Sequence, residues 1–292
     1  FYNDKKWSVN TNGSYYNGKS FNDRSVNQTI QLGNNTRNLN QNNYWLPKTE
    51  NYSFNLGIER KLDKNQLIST EWQWYKENEN AKTTGKTFDY SNNTLQNEVS
   101  LFKQDKTPVN QVSGNLFYNF TSDSLTTKID AQVNYGYYKK SIEGFQQNDY
   151  INGEIDRLDG INQTKYNMLN AQLDWNQKLS NQFNLESGAK MSFVDMNYFN
   201  RYDAIQGSNF IIPDSLMVND FSYKEKLTSA YTQLNYSKEK WNFLAGLRME
   251  NYHYEATSNK NQKTNNGTYT NWFPSASINY ENGHHQYRLS YS

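Results

Sequence analysis

Residues able to do acid–base or metal chemistry are few and scattered along the chain. Histidine occurs three times, at His253, His284 and His285, and cysteine is absent. Zero cysteine removes disulfides, thiol catalysis and thiolate-bound zinc. His284-His285 sits in a short polar turn, where imidazoles are solvated. His253 adjoins Glu250 and Glu255, but a metal site needs converging ligands and no second cluster has matching spacing. Asp130, Asp174 and Glu186 stand singly in alternating segments, with no nucleophile–base pair beside them. No Gly-rich phosphate loop occurs. The expectation is therefore no catalytic residue, no cofactor, no metal and no enzymatic activity.

The elements that carry these residues explain their isolation. The chain has 292 residues and a mean hydropathy of −1.06, with 35% hydrophobic residues but 16% aromatics. Disordered chains are polar but poor in aromatics, which excludes simple disorder. No apolar run approaches the ~20 residues that a membrane helix requires. Lys+Arg is 30 and Asp+Glu is 29, so no net field points to nucleic acid. Phe1-Tyr2-Asn3-Asp4-Lys5-Lys6-Trp7 has no apolar signal region.

Period-2 alternation dominates. Leu125, Thr127, Ile129, Ala131, Val133, Tyr135 and Tyr137 oppose Thr126, Lys128, Asp130, Gln132, Asn134 and Gly136. Tyr52, Phe54, Leu56 and Ile58 oppose Ser53, Asn55, Gly57 and Glu59. The same contrast recurs around Leu116, Leu173, Leu185, Leu247 and Leu289. Each run reads as a strand with one apolar and one polar face.

Tight polar turns begin at residues 4, 63, 121, 180, 237 and 281, at spacings of 59, 58, 59, 57 and 44 residues. Between them, 18–48, 76–108, 139–165 and 203–224 read as long polar loops. Tyr44, Trp45, Phe210, Ile211, Ile212 and Pro213 are apolar points within them, suited to a substrate or a partner lipoprotein, but expected first to pack within the loop. Alternating tight turns and long loops place all turns at one rim and all loops at the other. With ~10-residue alternating strands, this is the pattern of a transmembrane β-barrel.

In such a barrel the apolar faces meet lipid and the polar faces meet a wet lumen. Lys128, Asp130, Asp174, Glu186, Lys190, Arg248, Glu250 and Arg288 are then expected to face the lumen. Aromatics collect at strand ends as two membrane-interface belts. Beside the turns sit Trp7, Phe120, Phe183, Tyr236, Trp241, Tyr280 and Tyr287. Towards the loops sit Tyr15, Tyr16, Tyr52, Trp72, Trp74, Tyr137, Tyr138, Tyr198, Phe199, Tyr252, Tyr254 and Trp272.

Two hairpins carry a family resemblance. One runs from Ala230-Tyr231-Thr232-Gln233-Leu234 to Ala245-Gly246-Leu247-Arg248-Met249-Glu250. The other runs from Phe273-Pro274-Ser275-Ala276-Ser277-Ile278-Asn279-Tyr280 to Tyr287-Arg288-Leu289-Ser290-Tyr291-Ser292. Both resemble the barrel of TonB-dependent outer-membrane receptors, of the outer membrane protein β-barrel family. Leu173-Asp174-Trp175 to Glu186-Ser187-Gly188-Ala189-Lys190 is similar to the same family. The first 110 residues match mainly in rhythm. Asp123-Ser124-Leu125 and Asp214-Ser215-Leu216 resemble a three-residue bacterial O-glycosylation motif of low information.

The resemblance implies an antiparallel up-and-down barrel of about twenty-two strands in the bacterial outer membrane. It also implies a plug domain inside and TonB as the energy source for uptake of a bulky nutrient. Residues 1–292 read as about 11–12 of those strands, an internal fragment without a plug or second domain. The partners expected are the lipid bilayer, the plug, TonB and a surface lipoprotein or other outer-membrane protein, with no nucleic acid. An assembly or surface scaffold without active transport is the alternative. A soluble carbohydrate-binding β-protein would need a second sheet on each apolar face.

Overall fold

The computed structural model describes all residues except 1, 34, 125, 207–208, 211–217, 284 and 292. The described residues form fourteen strands and no helix. They are β1 (Tyr2–Asn3), β2 (Trp7–Lys19), β3 (Asn22–Leu32), β4 (Asn35–Lys61), β5 (Gln66–Ser91), β6 (Thr94–Thr121) and β7 (Thr127–Tyr150). There follow β8 (Ile155–Lys178), β9 (Phe183–Gln206), β10 (Asn209–Phe210), β11 (Val218–Lys238), β12 (Trp241–Ser258), β13 (Lys263–Asn282) and β14 (His285–Tyr291). All belong to one antiparallel sheet, ordered β1-β2-β4-β5-β6-β7-β8-β9-β11-β12-β13-β14, with β3 paired to β4 and β10 to β9. Twelve strands on this path agree with the number read from the alternation.

The strands are longer than the sequence pattern implies. Three segments read as loops, 18–48, 76–108 and 139–165, are mostly paired backbone. β5 and β6 continue to a two-residue turn at Asn92-Asn93, and β7 and β8 to a turn after Tyr150. In the fourth, 203–224, β9 runs to Gln206 and β11 starts at Val218. Ile211, Ile212, Pro213, Asp214-Ser215-Leu216, His284 and Leu125 lie outside the described residues, as does the Phe210 side chain. Tyr44 and Trp45 sit on opposite faces of β4 at 50% and 40% exposure, so packing within a loop is not their state.

Prolines mark where ladders lapse. Lys19 faces Lys48 and Asn22 faces Trp45 in one unbroken register, yet Ser20 and Phe21 are not in the ladder. Pro47 stands opposite Ser20 and accepts its N–H at 3.1 Å. Having no N–H of its own, Pro47 cannot return the bond, so β2 and β3 are one strand interrupted once. Pro108 acts alike on β6, whose ladder with β7 skips from Lys106↔Glu143 to Val109↔Lys140.

Elsewhere among the described residues the registers hold, with one shift in the β5–β6 ladder between Asp89 and Tyr90. Two faces therefore persist across the whole sheet. One row of directly paired residues runs Trp7, Arg60, Ile68, Tyr118, Ala131, Leu173, Ala189, Ala230, Met249, Trp272. It begins at a tight turn and ends ten residues above the Asn282 turn, after nine strand-to-strand steps. A stagger of about one residue, ~3.3 Å, per strand spacing of ~4.8 Å tilts the strands by about 35°. That is the tilt range of β-barrels.

Candidate functional site

The two faces differ sharply in chemistry. The apolar face carries a band of Leu, Val, Ala, Ile and aromatic residues, such as Ile129, Val133, Leu169, Leu173, Met191, Phe193, Leu234 and Leu247. Many are more than a third exposed, with Leu173 at 50% and Leu289 at 73%. No large side chain is fully buried among the described residues, so this sheet has no internal core. The apolar surface left open is far larger than a water-soluble monomer exposes.

The opposite face carries charge. Lys128, Asp130, Asp174, Glu186, Lys190, Arg248, Glu250 and Arg288 share one side of the sheet through the paired registers. Asp130 and Asp174 stand directly opposite one another on β7 and β8. Like charges so placed repel, and the neighbours offset it. Lys128 pairs with Asp130 at 2.8 Å, and Asn119 donates to Asp130 at 2.7 Å. Gln172 and Tyr231 each donate to Asp174 at 2.7 Å. Glu186 accepts from Asn176, Asn184 and Gln233 at 3.2, 3.3 and 3.4 Å. Arg248 pairs with Glu250. These eight charges comprise four cations and four anions, and all four carboxylates have hydrogen-bond or ion-pair partners.

Of the twelve aromatics expected at membrane interfaces, eleven lie on the apolar face. These are Trp7, Phe120, Phe183, Tyr236, Trp241, Tyr280, Tyr287, Trp72, Trp74, Tyr137 and Trp272. Several touch: Phe183–Tyr236 and Trp241–Tyr280 rings are both 4.6 Å apart, and Arg60 lies 4.6 Å over Trp7.

Tyr252 is a correction. It follows Arg248 and Glu250 at two-residue steps and so lies on the polar face. Its hydroxyl is 2.7 Å from the Tyr223 hydroxyl and 3.2 Å from Glu225, to which Tyr223 also donates at 2.7 Å. Those bonds, from Tyr252 first and Glu225 second, raise the Tyr223 phenol above its ordinary value. Tyr16, Tyr138, Tyr198 and Tyr254 share the polar face for the same reason of register. The polar wall thus bears an upper tier of tyrosines that the sequence pattern assigned outward. Tyr138 directly faces Tyr166, and Tyr252 faces Tyr269.

His253 lies on the other face from Glu250 and its Nδ1 is 2.9 Å from Thr268 Oγ1. No group of three His, Cys, Asp or Glu residues suited to a metal occurs among the described residues.

Comparison with known proteins places this geometry. No curated protein sequence matches the chain. The outer membrane protease OmpT of Escherichia coli is similar over 96% of each chain, at 11% identity and a TM-score of 0.28. The ferric citrate transporter FecA matches 94% of this chain at 12% identity and a TM-score of 0.47, and this chain spans 42% of that protein. The translocator domain of the autotransporter NalP from Neisseria meningitidis matches 99% of this chain and 84% of its own, at 13% identity and a TM-score of 0.29. The family model is decisive: it matches residues 118–292, and with that match the chain belongs to the outer membrane protein beta-barrel family and has its place in the bacterial outer membrane.

Proposed function

We propose that this sheet is the wall of an outer-membrane receptor that admits a bulky nutrient through its lumen. In this reading the apolar face meets lipid, the interface aromatics mark the two bilayer boundaries, and the polar face lines an aqueous path. The observation that carries it is the height of the polar face, on which hydrogen-bonded charges recur from Asp130 and Glu186 near the tight turns to Glu225 in the hairpins. A barrel serving only as an anchor has no need of charged, hydrogen-bonded side chains along its whole inner height. A plug domain and TonB are the partners this function requires, and the hairpins above the membrane are the surface for ligand capture or a lipoprotein.

The test is uptake by intact cells. Deleting the gene should abolish growth on a scarce nutrient that wild-type cells scavenge, and dissipating the proton gradient should do the same. A deletion that leaves uptake intact but disturbs surface assembly would replace this reading with that of a scaffold.

A further inference from the structure

Above the apolar band, outward positions on three strands change from apolar residues to lysine. On β5, Trp74 is followed two residues later by Lys76. On β7, Tyr137 is followed by Lys139. On β8, Leu169 gives way to Asn167 and then Lys165. These lysines lie in one row of directly paired residues: Tyr52, Lys76, Asn110, Lys139, Lys165, Asn197. The row contains no carboxylate.

Lys139 and Lys165 are paired face to face on neighbouring strands. Their Cβ atoms are then about 5 Å apart, where like charges destabilise a sheet. Both are exposed, and neither has an ion-pair partner among the described residues. The contrast with neighbouring charges is informative. Lys106 faces Glu143 and Lys224 faces Asp195 in register, while Lys48 pairs with Glu50 at 3.3 Å. Lys19 also faces Lys48, but Glu50 lies beside that pair, whereas the row of Lys76, Lys139 and Lys165 has no carboxylate in it. The turn-side boundary carries only Arg60 and Lys238 outward among the described strand residues, so the cluster belongs to the hairpin side alone.

We infer that Lys76, Asn110, Lys139 and Lys165 bind the phosphorylated headgroup of a lipid in the leaflet next to the hairpins. The inference rests on the membrane placement proposed above. A lysine one outward position above the interface aromatics, about 6.6 Å along the strand, reaches headgroup depth by extending its stem over the apolar band. Three strand spacings separate Lys76 from Lys165, about 14 Å, which spans a headgroup carrying two phosphates. Asn110, exposed between them, supplies an amide donor to the sugar or glycerol oxygens. A phosphate between Lys139 and Lys165 converts their repulsion into two attractions.

Native mass spectrometry of the intact protein, released from detergent after exposure to bis-phosphorylated lipid A, monophosphorylated lipid A or phosphatidylethanolamine, tests this. Wild-type protein should keep bis-phosphorylated lipid A in preference to the other two. K139Q/K165Q should lose about tenfold or more of that retention, K139R/K165R should keep it, and the turn variant K5Q/K6Q should match wild type. Retention by K139Q/K165Q equal to wild type, with the strand content of both confirmed by circular dichroism, overturns the inference. A wild-type protein that retains none of the three lipids and stays soluble without detergent overturns the membrane placement itself.

Discussion

The Tyr231 hydroxyl donates to the Asp174 carboxylate at 2.7 Å although a whole strand, β9, runs between β11 and β8. It can do so because Gly188 stands directly between them, paired with Asp174 on one side and Tyr231 on the other. The phenol ring lies across the missing side chain. A Cβ at Gly188 would sit 2.5 Å from the Tyr231 ring and 2.8 Å from the Leu173 carbonyl oxygen. The ring can swing away, but the carbonyl belongs to the ladder and cannot.

Substitutions at this crossing should separate the two effects. Tyr231→Phe removes only the hydrogen bond and should cost about 1 kcal/mol. Gly188→Ala should cost more, because it expels the ring and strains the β8–β9 ladder together. Urea unfolding of the protein in lipid vesicles measures both. Equal losses for the two variants would show that the ring's position over Gly188 contributes nothing.

The two faces should respond oppositely to the same charge. Leu173→Arg puts a guanidinium in the middle of the apolar band and should cost about 2–4 kcal/mol. Gln172→Arg, one residue away on the polar face, should cost less than about 0.5 kcal/mol. The same vesicle unfolding assay reads both, and similar costs would mean that the apolar face does not meet lipid.

The β5–β6 tip depends on two asparagines with different tasks. Asn92 and Asn93 both have positive φ, 47° and 64°, the left-handed conformation that a two-residue hairpin of this kind needs. Asn92 also accepts the Thr36 N–H at 2.9 Å and donates to Asn35 at 3.0 Å, joining this tip to that of β3–β4. Asn93→Gly should preserve the tip, and Asn93→Val should cost about 1–2 kcal/mol. Asn92→Gly should loosen it by about 1 kcal/mol through the lost hydrogen bonds. Hydrogen exchange at Thr36 and Thr94 resolves the three variants.

Acid should open the same region. Hydrogen bonding from the Arg37 guanidinium, 2.6 Å away at its closest, holds the Asp89 carboxyl below the usual carboxylate range. A carboxyl lowered on folding contributes stability above its unfolded value, about 3.9. That contribution is lost as pH falls through the lower folded value. Hydrogen exchange where β4 and β5 pair near Asp89 should therefore rise, relative to Asp89→Asn, only below about pH 4. A step nearer neutrality would assign the opening to another group.

How far the sequence reveals this molecule follows from where water is. Between Ile129 and Tyr137, one face meets an apolar phase and the other a wet one, so residues alternate and the strand is plain to read. From Lys139 to Tyr150 the backbone stays paired, but both faces are wet. Lys139, Ser141 and Glu143 on one side resemble Lys140, Ile142 and Gly144 on the other in having no consistent contrast. The period vanishes while the ladder continues, and strand reads as loop. Tyr252 was hidden for a related reason. Near a boundary both faces accept tyrosine, and only its step from Arg248 and Glu250 reveals the side. The Tyr231–Asp174 crossing needed registers across three strands, which no single chain segment encodes.

The oblique run from Trp7 to Trp272 also sets a scale for the molecule. A strand tilted by about 35° occupies about 6 Å of circumference rather than its spacing of ~4.8 Å. The twelve strands of the path therefore cover about 70 Å of perimeter. In the receptor proposed above, strand count and pitch would set the bore before any side chain does.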